Sequence, residues 1–277
     1  MARLRADETT LKWIKTLRDR QIPPQAIAAE LLRLCFSLSA VRGVFQNDTG
    51  LDWNALALLE ADRDVDYQAL AAVSLTQGGR DFPLQRVATD KVQLFVLDDF
   101  LSDAECDGLV ALIDQNLQPT TIATAAETKG YRTNRTCDLG LSTAPLVRTV
   151  DEKIARALGI PLLYSERIQG QRYDTGEEYK QHADFFPPGP DGRKLMGAMG
   201  NRTWTFMIYL NDVEKGGGTG FPAIEKSFSP QKRRALVWNN LYADGTLNLD
   251  TRHAGLPVEA GSKVIVTKWF RERARPT

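Results

Sequence analysis

Cysteine is scarce. The 277 residues hold three, Cys35, Cys106 and Cys137, far apart, odd in number and without a Cys-x-x-Cys pair. That excludes a disulfide scaffold and reads as free thiols in a reducing compartment. Histidine is scarcer, with only His182 and His253. Net charge is absent, with 35 Lys+Arg against 35 Asp+Glu, so no basic field calls for nucleic acid. No apolar run approaches the roughly 18–20 residues that span a bilayer. The opening MARLRADETTLKW lacks the apolar core and small-residue cleavage site of a secretory signal. The expectation is a soluble cytoplasmic protein with neither nucleic acid nor membrane as partner. What is present, 43% hydrophobic and 25% charged residues, is globular composition. At this length one large domain with a smaller extension is expected.

The chain changes texture near residue 88. Residues 1–88 read as an α-helical region. Thr9 and Thr10 are candidate caps for a helix through Trp13, Ile14 and Leu17. Pro23-Pro24 opens a second, with Ile27, Leu31, Leu34 and Leu38 on one face. Helical patterns follow around Leu56, Leu58 and Leu59 and from Tyr67 to Leu75, and Gln77–Pro83 breaks them. Residues 89–277 read as the second unit. It opens with a strand over Lys91–Leu97. A capping box, Ser102 to Glu105, then starts a helix through Leu109, Leu112 and Ile113. Thr143–Leu158 is amphipathic and closed by Gly159. From Leu162 onward short strands alternate with Gly and Pro turns, among them Thr203–Leu210, Ala235–Trp238 and Lys263–Phe270. A late block of many short strands suggests a sandwich, barrel or jelly roll.

Both histidines sit in loaded contexts. In Tyr-Lys-Gln-His182-Ala-Asp184 the imidazole and carboxylate are two residues apart, which on an extended segment puts them on one face. A third ligand must come from another strand, and His253 is the only imidazole left. Two imidazoles and a carboxylate form the facial triad of non-heme Fe(II) oxygenases, which leaves open metal positions for co-substrate and oxygen. On the strand from Lys263, alternation puts Lys263, Ile265, Thr267 and Trp269 on one face. A lysine facing a barrel interior is costly unless a buried anion pairs with it, and an anionic co-substrate would be that anion. On Thr203–Leu210, Thr205, Met207 and Tyr209 share a face that offers hydroxyls to a pocket. Gly216–Gly218 lacks the Lys-Ser/Thr of a phosphate-binding loop and reads as a tight turn.

From about Val92 to Arg271 the chain resembles the prolyl 4-hydroxylase type of 2-oxoglutarate- and Fe(II)-dependent dioxygenase. The matching pieces come in order: Arg135-Thr-Cys137, Tyr173 to Asp184, Arg202 to Asn211, Gly216 to Pro222, His253 to Val258, Gly261-Ser-Lys263 and Thr267-Lys-Trp269. The resemblance implies a mainly β catalytic domain, a double-stranded β-helix (jelly roll) with supporting helices. It implies Fe(II) on His182, Asp184 and His253. Lys263 would pair with the distal carboxylate of 2-oxoglutarate, and Tyr173, Tyr209 and Thr267 would offer it hydroxyls. Tyr179, Arg202 and Arg135 match positions near the substrate opening. The implied reaction consumes 2-oxoglutarate and O2, releases succinate and CO2 and hydroxylates a C–H bond, with ascorbate as reductant. The presence of Asp184 favours hydroxylation over halogenation.

The chain departs from the pattern in three places. Cys137 stands where the family has serine, and a thiol is a weaker hydrogen-bonding group. Thr120–Gly130 matches the mobile substrate-covering loop only loosely, and Phe185–Gly200 reads as a flexible insert. A prolyl residue in a peptide or protein is the first substrate reading, with a free amino acid or small natural-product precursor as the alternative. A non-catalytic jelly-roll binding module is the alternative outside enzymes, and nucleic-acid demethylation is disfavoured by the neutral charge. The N-terminal helices read as packing or homodimer-forming elements, with substrate recruitment as the alternative.

Overall fold

The computed structural model describes residues 8–33, 36, 38–61, 65–73, 84–119, 131–141, 144–187 and 190–275. Leu34, Cys35, Leu75, Gln77–Pro83 and the loop Thr120–Gly130 lie outside them.

The chain begins with helices α1 (Glu8–Asp19), α2 (Pro24–Arg33), α3 (Leu38–Val44), α4 (Trp53–Ala61) and α5 (Tyr67–Ala71). Ile14, Ile27, Leu31, Val41, Phe45 and Leu56 give α1–α4 a core of their own. Two expectations are corrected. Helix α1 starts at Glu8, so Thr10 is a buried helical residue and not a cap. Leu38 opens α3 and does not continue α2.

Strand β1 (Leu84–Arg86) pairs with β2 (Leu94–Leu97). Helix α6 (Asp103–Asn116) carries the expected capping box, with both reciprocal bonds made. Strands β3 (Gln118–Pro119) and β4 (Arg135–Asp138) precede α7 (Pro145–Leu158), which ends on Gly159 in the left-handed conformation, φ 73°. Next come β5 (Gln169–Asp174), β6 (Tyr179–His182), α8 (Pro190–Met196), β7 (Arg202–Tyr209), β8 (Lys215–Gly216), β9 (Thr219–Phe221), β10 (Lys226–Phe228), β11 (Ala235–Asn239), β12 (His253–Gly255), β13 (Val258–Ala260) and β14 (Ser262–Arg271).

Antiparallel pairing orders eight strands as β1-β2-β11-β7-β14-β5-β4-β3 and four as β10-β9-β12-β6, with β13-β8 as a short ribbon. The two-residue period of the strands sorts the large sheet into two faces. Phe95, Trp204, Phe206, Val237, Val264 and Val266 pack under α6 and α7. Their neighbours Val96, Met207, Tyr209, Trp238 and Ile265 form the inner core with Phe221 of the small sheet. Helices therefore cover one face, and the other looks toward the small sheet, as in a jelly roll.

The boundary expected at residue 88 does not separate two packing units. Strand β1 belongs to the large sheet, Val73 belongs to the helix-covered core, and Trp204 Nε1 donates to Leu70 O at 2.7 Å. Three residues of pattern Leu-Gln-Arg carry too little periodicity to read as a strand. The insert expected to be flexible holds α8 and a following 3₁₀ turn. Arg271 pins it by donating from Nη2 to Leu195 O at 3.1 Å and to Gly200 O at 2.6 Å.

Candidate active site

The small sheet assembles the ligands. His182 ends β6 and His253 begins β12, and the two are directly paired across that ladder. Asp184 follows two residues after His182. Asp184 Oδ1 lies 3.8 Å from His182 Nε2, and Oδ2 lies 3.9 Å from His253 Nε2. The three ligand atoms lie within 4.8 Å of one another. Facial ligands about 2.1 Å from one ion stand about 3 Å apart, so a small inward shift of the side chains would bring all three atoms onto one ion and leave its other positions open.

Backbone carbonyls fix both imidazoles. Nδ1 of His182 meets Lys180 O at 2.8 Å, and Nδ1 of His253 meets Thr251 O at 3.0 Å. A carbonyl only accepts, so each Nδ1 carries the proton and each Nε2 turns a lone pair inward. Tyr179 stacks on His182 with ring centres 3.5 Å apart, and Trp238 meets His253 edge-on at 4.7 Å. Burial first, and the neighbouring His253 second, push the His182 pKa down to about 3. Burial disfavours the Asp184 carboxylate, but His253, His182, Arg202 and the Thr205 hydroxyl outweigh it and hold its pKa below the usual range. Thr205 Oγ1 donates to Asp184 Oδ2 at 2.7 Å and accepts from Asn240 Nδ2 at 2.9 Å. The result is a carboxylate set between two imidazole Nε2 atoms. Cys106 and Cys137 pack on the helix side of the large sheet, so neither contributes a thiolate. This N,N,O donor set fits Fe(II).

The triad opens into a cavity of about 810 Å³. At one end is Lys263, 1% exposed, with no ion pair or hydrogen bond among the described residues. Its Nζ lies 4.1 Å from the centre of the Tyr173 ring. Burial alone pulls its pKa down to about 7. A buried cation beside open space and without an acid is a built anion site. Ile265, Thr267 and Trp269 line the same cavity, as the alternation of β14 requires.

The other residues singled out from sequence divide. Tyr173, Thr267, Tyr179 and Arg202 line the cavity. Tyr209 does not. Its hydroxyl is held at 2.6 Å by Thr219 Oγ1 and at 3.1 Å by Phe228 O, which turns it into the inner core. Arg135 does not either. It pairs with Asp174, and Arg132 lines the cavity instead. Arg132 lies over the Tyr179 ring at 4.6 Å. Arg202 is bound through Nε and Nη2 to Glu166, both at 2.7 Å, and Arg271 Nη1 reaches the same carboxylate at 2.8 Å. Gln171 had gone unnoticed. It is buried, lines the cavity and contacts both Tyr173 and Thr267.

Residues 168–271, the span that supplies the triad and Lys263, match the 2OG-Fe(II) oxygenase superfamily. The chain carries a 2OG-Fe(II) oxygenase domain. Among known proteins it is 34% identical over 191 residues to prolyl 4-hydroxylase subunit alpha-1 of Mus musculus, covering 67% of this chain and 36% of that one. It is 35% identical over 178 residues to subunit alpha-3 of Mus musculus, covering 63% and 33%. The chain thus spans about a third of the length of the curated relatives it matches. A solved structure, the viral collagen prolyl hydroxylase of Paramecium Bursaria Chlorella virus-1 in complex with 2OG, superposes with a TM-score of 0.53. It shares 24% identity and covers 65% of this chain and 96% of its own, which establishes the shared fold.

Proposed function

We propose that the protein is a 2-oxoglutarate- and Fe(II)-dependent dioxygenase that hydroxylates a prolyl residue in a peptide or protein, with release of succinate and CO2. The observation that carries this is the pairing of a preformed His182–Asp184–His253 cluster with the unpaired buried Lys263 in one cavity. The likeness to prolyl 4-hydroxylase subunits supports the prolyl reading.

His182, Asp184 and His253 would hold the iron. Bound there, it supplies oxidative chemistry, coupling decarboxylation of 2-oxoglutarate by O2 to hydroxylation of a C–H bond. The protein does the rest. Lys263 binds the distal carboxylate, and the apolar walls Ile265 and Met207 keep water from the pocket. Thr205 and Asn240 hold the Asp184 carboxylate in orientation. Arg202, Trp269 and Tyr179 line the same cavity, where a substrate ring would pack. The reading carries ascorbate as reductant and a cytoplasmic setting.

The test is succinate release by iron-loaded protein given 2-oxoglutarate, O2 and a library of proline-containing peptides, with free amino acids in parallel. Peptide-stimulated turnover is expected. Stimulation only by free amino acids would replace the substrate, and iron binding without any turnover would leave a binding module.

A further inference from the structure

The orientation of the Asn134 and Gln171 amides follows from one group that can only donate. Arg132 Nε lies 2.8 Å from Asn134 Oδ1, and a guanidinium has no acceptor, so that Asn134 atom is its carbonyl oxygen. Asn134 Nδ2 therefore turns toward Gln171, and the Gln171 atom it meets at 3.3 Å is Oε1. The Tyr173 hydroxyl donates to the same Oε1 at 2.8 Å. Gln171 Nε2 is left facing Thr267 and donates to its Oγ1 at 3.0 Å.

This ordering treats the two hydroxyls differently. The Tyr173 proton is committed to Gln171. The Thr267 oxygen is occupied as an acceptor, and its proton has no acceptor among the described residues. Asn134, Gln171, Tyr173 and Thr267 are all 5% exposed or less, so bulk water does not rearrange the set. Gln171, Tyr173 and Thr267 line the cavity beside Lys263, where an incoming dicarboxylate would meet them.

We propose that Gln171 is a positioning residue that makes Thr267 the hydroxyl donor to the bound co-substrate and withholds Tyr173 from that role. The inference rests on the oxygenase reading above and refines it, because family resemblance alone gives both hydroxyls the same part. Tyr173 then acts through its ring, as a wall against Lys263 Nζ, and not through its oxygen.

The experiment is calorimetric titration of 2-oxoglutarate, without O2, into full-length protein loaded with Mn(II), alongside steady-state kinetics with Fe(II). Thr267→Val is expected to weaken 2-oxoglutarate binding about tenfold or more, the effect of losing a hydrogen bond to a charged group. Tyr173→Phe is expected to stay within about twofold of the unmodified protein. In a Gln171→Leu background the Tyr173 hydroxyl is released, and there Tyr173→Phe should weaken binding by a further factor that it lacks in the unmodified background. The changes should fall on the KM for 2-oxoglutarate and leave its kcat and the KM of the hydroxylated substrate in place, which a general loss of structure would not do. Equal weakening by Tyr173→Phe and Thr267→Val in the unmodified background would overturn the proposal, and this comparison stands even if Gln171→Leu fails to fold. Absence of 2-oxoglutarate binding by the unmodified, metal-loaded protein would instead sink the oxygenase reading and this proposal with it.

Discussion

Lys263 is a buried ammonium with open space beside it, and its protonation links co-substrate binding to pH. Burial sets its pKa near 7 in the free protein, below the ordinary 10.5, so the charged form is disfavoured by the fold. Pairing with a carboxylate raises that pKa again. Above pH 7 the free protein must therefore take up a proton to bind, and affinity falls by up to about tenfold per pH unit until the pKa of the bound state is reached. Below pH 7 this group contributes no slope. Titrating 2-oxoglutarate between pH 6 and 9 checks this, and a Lys263→Arg variant should lose the slope because guanidinium stays charged. Lys263→Met should weaken binding about a hundredfold or more, since it leaves a buried carboxylate unpaired. At the metal, His182→Ala or Asp184→Ala should abolish both succinate formation and tight Fe(II) binding, and a variant that retained either would refute the triad. These ligands were legible in the sequence because the chain has only two histidines and one stands two residues from an aspartate. Gln171 was not legible, since a glutamine on a strand gives no hint that its amide faces two hydroxyls. Arg132 was missed for a related reason: of two arginines three residues apart, only the folded chain shows which one faces the cavity.

Strands read well where alternation is long. Strands β7 and β14 match their sequence expectation within a residue or so, because 8 and 10 residues of alternation each face two cores. Short elements read poorly, since β1 and β3 have 3 and 2 residues and are defined by their partners. The break between α2 and α3 was hidden for the opposite reason: the helical spacing of Ile27 and Leu31 continues through Leu34 to Leu38 even though the helix does not. The strand that presents Gln171 and Tyr173 depends on a glycine. A Cβ added at Gly170 would stand 2.5 Å from Ile113 Cγ1 and 2.8 Å from Cys137 Sγ, so α6 and β4 close on bare backbone there. Gly170→Ala should destabilise the fold by about 1–3 kcal/mol through overpacking. A lowered thermal midpoint with a raised KM for 2-oxoglutarate is expected, because a shift of β5 away from Ile113 and Cys137 moves the cavity wall. An unchanged midpoint would mean that Ile113 turns aside without cost.

Among the described residues, two kinds of helical material lie ahead of the sheet, and they differ in what they pack against. Helices α1 to α4 share a core of their own, in which Leu31, Phe45 and Leu56 are buried among one another. Helix α5 faces the sheet. Leu70 O takes the indole proton of Trp204, Ala71 O takes a bond from Gln93 Nε2 at 3.3 Å, and the Tyr67 hydroxyl donates to Glu272 Oε1 at 2.9 Å. The change of packing partner thus falls between α4 and α5, ahead of the change of texture read from the sequence at 88. Two truncations separate these possibilities. Removal of residues 1–64 should leave a soluble protein that binds Fe(II) and 2-oxoglutarate as the full chain does. Removal of residues 1–88 should not, because it strips β1 from the sheet edge and Val73 from the core. It also orphans the buried indole N–H of Trp204, worth about 1–3 kcal/mol by itself. Trp204 and Thr205 are adjacent on β7, and Thr205 holds Asp184, so the damage should register at the metal as well as in the melting temperature. Equal stability and equal iron affinity in the two truncations would show that α5 and β1 only lie against the oxygenase domain and do not complete it.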